Sequence, residues 1–366
     1  MTIRTTTIMK FGEKIKELRL KRGFSIQVLA DLVGVSKPAI QQYEDNTISP
    51  SSKVLKKISE ALGVGVWHFF SGKQKKLSLI DFRDGYTLVN EDEEKNIILS
   101  EVKSYAQKYI ELVSIMNEKV PFENPIEDVE IKSYPDVEKA AKKLRKKWRI
   151  GDSPIDDVTS LLESKGFIIL TVERPTSSQG VCGYIEDEGN NIPIIIVNTF
   201  QDKEVTRKRF TIIHELGHLV LMFHKEMSKE LREQMCHYFA SAMLLVEDAL
   251  ISYIGKDRTS LSLKELIYLK ETYGISIQAI IYRSKNVGLI NDATKWKWLD
   301  VYNSWCDSKK DFGAYEKSEE KPRRFESLIS KAVAEKRISR EKAVELTGIP
   351  LDRLDDIYNN KILEIQ

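Results

Sequence analysis

Residues 214–218 of this 366-residue chain read His-Glu-Leu-Gly-His, a pattern that constrains both the local fold and the chemistry. On a helix, residues four apart share a face, so the imidazoles of His214 and His218 can reach one metal ion. Glu215 is then placed to take a proton from a water at that ion. Largely apolar residues on both sides of the motif predict that it lies within one buried helix. The pattern therefore predicts a catalytic site with Zn²⁺ as its cofactor.

A catalytic zinc site needs a third protein ligand, because three side chains hold the ion and one position stays open. The next predicted helix, 228–245, offers Glu230, Glu233 and His237. Glu233 and His237 are four residues apart and therefore share a face. We expect Glu233 to be the ligand. His237 remains an alternative ligand or a neighbour that orients one.

The sequence around the motif resembles the ImmA/IrrE family of metallo-endopeptidases. The resemblance is carried by residues 209–218, Arg-Phe-Thr-Ile-Ile-His-Glu-Leu-Gly-His, followed by Glu233, by Phe-Ala at 239–240 and by a Leu-Leu pair at 244–245. It extends from about residue 137 to residue 304, including the strand-like runs before the motif.

The resemblance also implies roles for individual residues. In that family the two motif histidines and a downstream glutamate hold zinc, which assigns His214, His218 and Glu233 as ligands. The motif glutamate is the catalytic base, here Glu215. The family usually has Asn or Asp where this chain has His237, and this departure keeps the coordination open between Glu233 and His237. Relatives cleave repressors of mobile elements or stress genes, which implies a protein substrate.

The N-terminal region has the pattern of a helix-turn-helix domain. Predicted helices cover 11–22, 26–33 with Ser25 as its cap, a third starting after Ser36, and 53–62. The third helix would enter the major groove of DNA by its first turn. Residues 11–70 resemble the Cro/cI-type (xenobiotic response element) repressor domains, notably at Leu29-Ala30, Gly34-Val35-Ser36, Ile40 and Tyr43-Glu44.

Charge supports this prediction. Residues 1–76 contain 14 Lys and Arg against 6 Asp and Glu, a net charge of +8, whereas the whole chain carries +2. A basic module of this kind neutralises DNA phosphates. The partner predicted from it is a double-stranded DNA operator.

The predicted DNA contacts fall into two groups. Gln41 and Gln42 are expected to read bases, because a Gln side chain can pair bidentately with adenine, and Lys37 reaches either guanine or phosphate. Arg19 and Ser25 are expected to contact phosphates, which position the domain without reading sequence. Ser36 and Pro38 complete the predicted contact set.

The remaining patterns suggest how the chain is organised. We expect a mainly α fold with a small β-sheet: an all-α helix-turn-helix domain at 1–76, a linker and long connecting helix at 77–135, an α+β zincin-like metallopeptidase domain at 136–305, and a C-terminal helical unit at 306–366. Short β-branched runs predict strands at 167–172, 180–185 and 192–197. A predicted helix at 91–118 has an apolar stripe typical of a core or of a partner-helix face, so a homodimer is possible.

The cysteines and the distribution of apolar residues indicate the cellular compartment of the protein. The three cysteines are widely spaced and odd in number, which excludes a disulfide framework. The first ten residues lack a signal-peptide core, and no apolar run approaches the length of a membrane helix. We therefore expect a cytoplasmic protein without a membrane partner.

Two functions remain open from the sequence. In the first, a DNA-binding transcriptional regulator carries a zinc endopeptidase that cleaves itself or a partner regulatory protein in response to a signal. In the second, the chain is a non-catalytic antitoxin-like or phage-type repressor whose zinc domain binds a partner, such as a toxin, or a ligand. The intact motif favours the first, since a purely structural site would not need Glu215.

Overall fold

The computed structural model describes residues 11–64, 69, 76–81, 91–173, 179–187, 190–200, 204–256, 258–306 and 312–349. The chain forms two compact units, residues 1–76 and 77–366. The fold class expected from the sequence, mainly α with a small β-sheet, is confirmed.

The first unit contains four described helices: α1 (Phe11–Lys21), α2 (Ile26–Val33), α3 (Lys37–Glu44) and α4 (Ser52–Leu62). Serines begin three of them. The side chains of Ser25, Ser36 and Ser51 accept hydrogen bonds from backbone N–H groups in the first turns of α2, α3 and α4. Gly34 ends α2 with φ of 75°, which lets the chain turn sharply into α3. Fully buried apolar side chains from all four helices form one core: Ile15, Leu29, Ile40, Ile58 and Leu62.

The second unit combines a small mixed sheet with helices on both of its faces. Its described elements are β1 (Lys76–Asp81), α5 (Glu91–Met116), β2 (Glu130–Ile131), α6 (Tyr134–Lys147), α7 (Val158–Ser164), β3 (Ile168–Val172), β4 (Gly180–Asp187), β5 (Asn190–Asn198), α8 (Val205–Val220), β6 (Met222–Phe223), α9 (Lys229–Leu244), α10 (Glu247–Ile254), α11 (Leu263–Tyr273), α12 (Ile277–Asn286), α13 (Asp292–Cys306), α14 (Arg324–Ala334) and α15 (Arg340–Thr347). The strand β1 begins with the last residue of the first unit.

The four-stranded sheet has the order β1-β4-β5-β3. Strand β4 runs antiparallel to β5, and β3 runs parallel to it. Successive side chains of a strand point to opposite faces, so the two faces belong to different cores. Ile195 and Val197 pack with α8 and α9, whereas Ile194 and Ile196 pack with α5 and α14. Strands β2 and β6 form a separate parallel pair, and β6 begins just after the end of α8.

The apolar stripe of α5 is an intramolecular core surface. Val102, Ile110 and Leu112 are at most 3% exposed and pack with Leu328 and Ile329 of α14. Of the two interpretations that the sequence left open, a core surface and a partner-helix face, the described part of the stripe is a core surface, because α14 and the sheet cover it. The residues before Val102 in this helix lie outside the described side chains. A homodimer through another surface stays a prediction.

None of the helices in the described ranges is both long and apolar enough to cross a membrane.

Candidate metal centre

The Gly217 position allows α8 and α9 to approach closely. A Cβ atom at Gly217 would lie 3.2 Å from Cys236 Sγ and 3.2 Å from Phe239 Cδ1, both on α9. The start of α9 is fixed by Ser228, whose side chain accepts a hydrogen bond from Leu231 N. This packing brings the second turn of α9 beside the histidines of α8.

Three side chains from these helices converge on one point. His214 Nε2 lies 3.1 Å from His218 Nε2 and 3.3 Å from Glu233 Oε2. Glu233 Oε1 lies 3.2 Å from His218 Nε2. Among the described residues, these three form the group of side chains able to hold a metal ion.

The arrangement fits zinc. Zinc bonds to nitrogen and oxygen of about 2.0–2.2 Å imply neighbouring ligand atoms about 3.3–3.6 Å apart in a tetrahedral site. The two histidine nitrogens lie 3.1 Å apart, and each lies 3.2 or 3.3 Å from a different oxygen of the Glu233 carboxylate, which is close to that range. Two imidazoles and one carboxylate form a donor set used by catalytic zinc, and they leave one position for water or substrate.

Glu215 is buried beside this group, with 3% of its surface exposed. A Cβ atom at Gly180, the first residue of β4, would lie 2.8 Å from Glu215 Oε1 and 2.6 Å from Thr211 Cγ2. Real Cβ contacts are essentially never this short, so the absence of a side chain at position 180 makes room for the Glu215 carboxylate. The sequence pattern does not single out Gly180. Its one signal is a glycine in a strand, which often marks a close approach.

His237 lies next to the group but outside it. Its ring centroid is 4.3 Å from that of His214 and 5.9 Å from that of Phe210, with which it stacks. His237 is exposed, whereas His214 is buried. Glu230, the other candidate from the sequence, is exposed on the first turn of α9 and also lies outside the group.

The C-terminal end of α8 is held by two hydrogen bonds to its last carbonyl groups. The Tyr184 hydroxyl donates to Leu219 O at 3.0 Å, and Asn124 Nδ2 donates to Val220 O at 2.8 Å. Burial raises the pKa of Tyr184, so its hydroxyl stays a donor. These bonds satisfy carbonyls that a helix leaves without internal partners.

In the first unit, the predicted base contacts lie on the exposed side of α3. Lys37, Pro38, Gln41 and Gln42 are all exposed and follow the cap residue Ser36, itself exposed. Ser25 is exposed at the start of α2.

Arg19 has a different environment. It is 5% exposed, and its Nε and Nη2 atoms donate to the Glu44 carboxylate at 2.6 and 2.9 Å. Its Nη1 donates to Phe24 O at 2.9 Å. The guanidinium is thus buried and bonded to groups that join α1 to α3, which indicates a structural role, and the phosphate contact by Arg19 stays a prediction.

Both parts of the chain match known families. Residues 15–66 match the helix-turn-helix family, and residues 165–285 match the IrrE N-terminal-like domain. Over 80 residues the chain is 32% identical to an SPbeta prophage-derived uncharacterized HTH-type transcriptional regulator of Bacillus subtilis, YonR, which covers 22% of this chain and 74% of that protein.

Two further relatives have similar descriptions. An uncharacterized HTH-type transcriptional regulator of Rickettsia prowazekii is 34% identical over 110 residues, covering 26% of this chain and 83% of that protein. A putative HTH-type transcriptional regulatory protein of Methanococcus vannielii is 27% identical over 178 residues, covering 44% of this chain and 51% of that protein. The chain therefore spans about half the length of this last relative.

Proposed function

Because this chain belongs to the helix-turn-helix family of transcriptional regulators and carries an IrrE N-terminal-like domain, we propose that it is a DNA-binding regulator with its own zinc-dependent endopeptidase. The peptidase proposal rests on one observation: the carboxylate of Glu215 is buried beside the converging side chains of His214, His218 and Glu233. A site that only stabilised the fold would have no use for that carboxylate.

Zinc held by His214, His218 and Glu233 would supply a Lewis acid that polarises a peptide carbonyl and makes water more acidic. Glu215 then acts as the general base: its carboxylate takes a proton from the attacking water and later donates it to the leaving amine. Burial of Glu215 excludes bulk water from this proton transfer. The products are a new carboxyl terminus and a new amino terminus.

DNA recognition is assigned to the exposed side of α3, which carries the predicted base contacts. The exposed side chains of Gln41 and Gln42 have the donor and acceptor groups that pair with adenine in the major groove. Lys37, also exposed, provides a cation at the same surface. The net charge of +8 in residues 1–76 favours a duplex over a protein partner for this unit.

The two activities together define a regulator that is switched by cleavage. The substrate is the chain itself or a partner regulatory protein bound at the same control region. Cleavage separates the DNA-binding part of the substrate from the rest of that protein, so repression ends. The reaction is irreversible, which suits a response to a signal.

The decisive experiment compares wild type with Glu215→Gln. Glutamine keeps the size of the side chain and leaves the three ligands in place, but it accepts no proton at neutral pH. Hydrolysis should fall at least about a hundredfold, the scale of a lost general base. Zinc content and DNA affinity should be unchanged, because Glu215 belongs to neither set of contacts.

The two proteins are expressed beside a reporter driven by the promoter region upstream of the gene, and intact and cleaved species are followed by immunoblot. Glu230→Gln, an exposed glutamate outside the ligand group, is the matched control and should behave as wild type. If wild type and Glu215→Gln are derepressed equally and neither strain contains a cleaved species, the non-catalytic repressor is the better account.

DNA binding is tested separately, with the full chain and labelled duplexes from the same promoter region. Affinity should fall steeply with salt because phosphate neutralisation releases counterions. Gln42→Ala should reduce the ratio of specific to nonspecific affinity. Gln27→Ala, an exposed glutamine of α2, should leave that ratio unchanged. Affinity that does not change with salt would contradict the proposal that the first unit binds DNA.

A further inference from the structure

A cavity of about 680 Å³ opens beside the metal centre. His237 lines it, as does Thr211, which lies one helical turn before Glu215. Gln179, the residue before Gly180, lines it on the side of the sheet. Ligand pockets are usually about 300–1,000 Å³ in volume, so this cavity can hold several residues of an extended chain.

The lining consists mainly of neutral groups that can both donate and accept hydrogen bonds. It includes Gln234, Gln278 and Asn286, whose side chains carry amides, and Tyr134, Tyr238 and Tyr282, whose side chains carry hydroxyls. A side-chain amide has the same donor and acceptor groups as a peptide bond. Tyrosine rings add flat apolar contact at little cost in conformational entropy. This combination suits the main chain and the uncharged side chains of a polypeptide.

The lining of the cavity carries few fixed charges, and they are of opposite sign. Glu204 and Arg207 are the lining residues with a fixed charge. Glu204 occupies the N-cap of α8, where a helix would otherwise attract an anion. Its Oε1 atom lies 2.8 Å from the ammonium of Lys270 and accepts a hydrogen bond from Thr206 Oγ1 at 2.9 Å. A carboxylate already occupies this helix terminus, and with one fixed charge of each sign in the lining the cavity suits a neutral occupant.

Part of the cavity wall is preformed. The Arg283 guanidinium lies 5.2 Å from the ring centroid of Tyr238, and its terminal nitrogens donate to Glu138 at 2.7 and 2.8 Å. Arg283 is fully buried, which fixes this ion pair behind the ring. Burial raises the pKa of Tyr238 to about 12, so its hydroxyl stays protonated. Two other lining residues are bonded to each other, since the Tyr134 hydroxyl donates to Gln234 Oε1 at 3.1 Å.

We propose that this cavity is the substrate cleft of the metal centre and holds an extended, uncharged polypeptide segment on one side of the scissile bond. The proposal rests on the peptidase function above and adds to it the class of substrate. Recognition comes from main-chain hydrogen bonds and from aromatic contact. The segment must therefore be unfolded or lie in an exposed loop when it is cut.

Photo-crosslinking tests the cleft without requiring turnover. The full chain carries Glu215→Gln, so the probe is not consumed, and the photoreactive residue p-benzoylphenylalanine replaces Gln278 or Asn286. Both positions line the cavity and are exposed, so neither replacement disturbs the core. The probe is β-casein, an unfolded protein, and crosslinked peptides are identified by mass spectrometry. Lys264, exposed on α11 and outside the cavity, is the control position.

We expect several-fold more crosslinking to casein from positions 278 and 286 than from position 264. Filling the cavity with Ala279→Trp should weaken casein binding at least about tenfold, the lower end of what a lost pocket contact costs. Ala314→Trp, at an exposed alanine outside the lining, should not. Crosslinking no greater than at position 264 would overturn the cleft.

The outcome is separable from that of the peptidase proposal. If the wild-type chain leaves casein intact but the cavity positions crosslink, the cavity binds polypeptide and the peptidase proposal fails. If casein is cut but positions 278 and 286 do not crosslink, the peptidase stands and the cleft is wrong.

Discussion

Arg209 and Glu320 lie 111 residues apart in the chain and form an ion pair in which neither side chain is exposed. Arg209 belongs to α8, five residues before the first motif histidine, and its Nε donates to Gly274 O at 3.0 Å. Glu320 accepts hydrogen bonds from Val158 N at 3.0 Å and Thr159 N at 2.7 Å, at the start of α7. One pair therefore anchors the helix of the metal centre to α7 and to the segment that follows α13.

Removing one member of this pair should destabilise the second unit strongly. Arg209→Met leaves the Glu320 carboxylate buried without its cation, and breaking a buried pair in this way costs about 3–5 kcal/mol. The loss is measured by urea unfolding, followed through the fluorescence of Trp148, which is buried in the same unit.

An exposed ion pair provides the control. Lys317 and Asp156 are 3.8 Å apart, with side chains 45% and 80% exposed, so Lys317→Met should cost at most about 1 kcal/mol. The double variant Arg209→Met, Glu320→Met should be less destabilised than the sum of its single variants, since neither charge is then stranded. A cost for Arg209→Met no greater than that for Lys317→Met would contradict the role given to the pair.

The features that the sequence predicts correctly are those that depend on nearby residues. The 3.6-residue period and the caps at Ser25 and Ser36 identify the helices of the first unit, and the motif histidines lie four apart on α8 as expected. These features depend on neighbours within a few residues. For the same reason three strands of the sheet, β3, β4 and β5, could be expected from their β-branched runs, whereas β1 has no such run and is not expected.

The sequence has no comparable signal for contacts between residues that are far apart in the chain. Nothing near Arg19 indicates Glu44 as its partner, and an arginine on a basic helix is naturally interpreted as a phosphate contact. The stripe on α5 has the same spacing whether α14 or a second copy covers it, so the pattern leaves both possible. The role of Gly180 depends on a carboxylate 35 positions further along the chain.

Arg19→Ala should unfold the first unit rather than remove one DNA contact. Arg19 and Glu44 have side chains 7% and 3% exposed, so the loss of the cation strands a buried carboxylate at a cost of about 3–5 kcal/mol. A domain this small has little stability to spare. Hydrogen exchange of the full chain should show faster exchange throughout residues 11–62. Lys16→Ala, at an exposed position of α1, should leave exchange unchanged. A protected Arg19→Ala domain that binds all duplexes weakly would instead support a phosphate contact.

Gly180→Ala should impair catalysis without loss of metal. The added methyl group would lie 2.8 Å from Glu215 Oε1, so the carboxylate must shift, and its three nearest atoms belong to Thr211 and Glu215 rather than to a metal ligand. A displacement of about 1 Å in a catalytic group can cost about a hundredfold in rate. The measurement is kcat for casein cleavage together with zinc content.

A second substitution tests the cause. The methyl group of Thr211 is the other close neighbour, 2.6 Å from the added atom, and Thr211→Ser removes it. Adding Thr211→Ser to Gly180→Ala should restore part of the rate, whereas Thr211→Ser alone should change it little. If Gly180→Ala keeps full activity, the glycine does not position Glu215.

Zinc content should distinguish Glu233 from His237 as the third ligand. The Glu233 oxygens lie 3.3 and 3.2 Å from the two histidine nitrogens, whereas the His237 ring lies tilted beside that of His214, with centroids 4.3 Å apart, and is outside the group. His214→Ala and Glu233→Ala should therefore lose the ion during dialysis against a chelator, because two ligands hold zinc far more weakly than three. His237→Ala and the nearby Glu230→Ala should retain about one zinc per chain, measured by plasma mass spectrometry. Each metal-free variant should also unfold at a lower temperature, since an ion that binds only the folded chain stabilises it. Full occupancy in Glu233→Ala combined with loss in His237→Ala would reverse the assignment and make His237 the ligand.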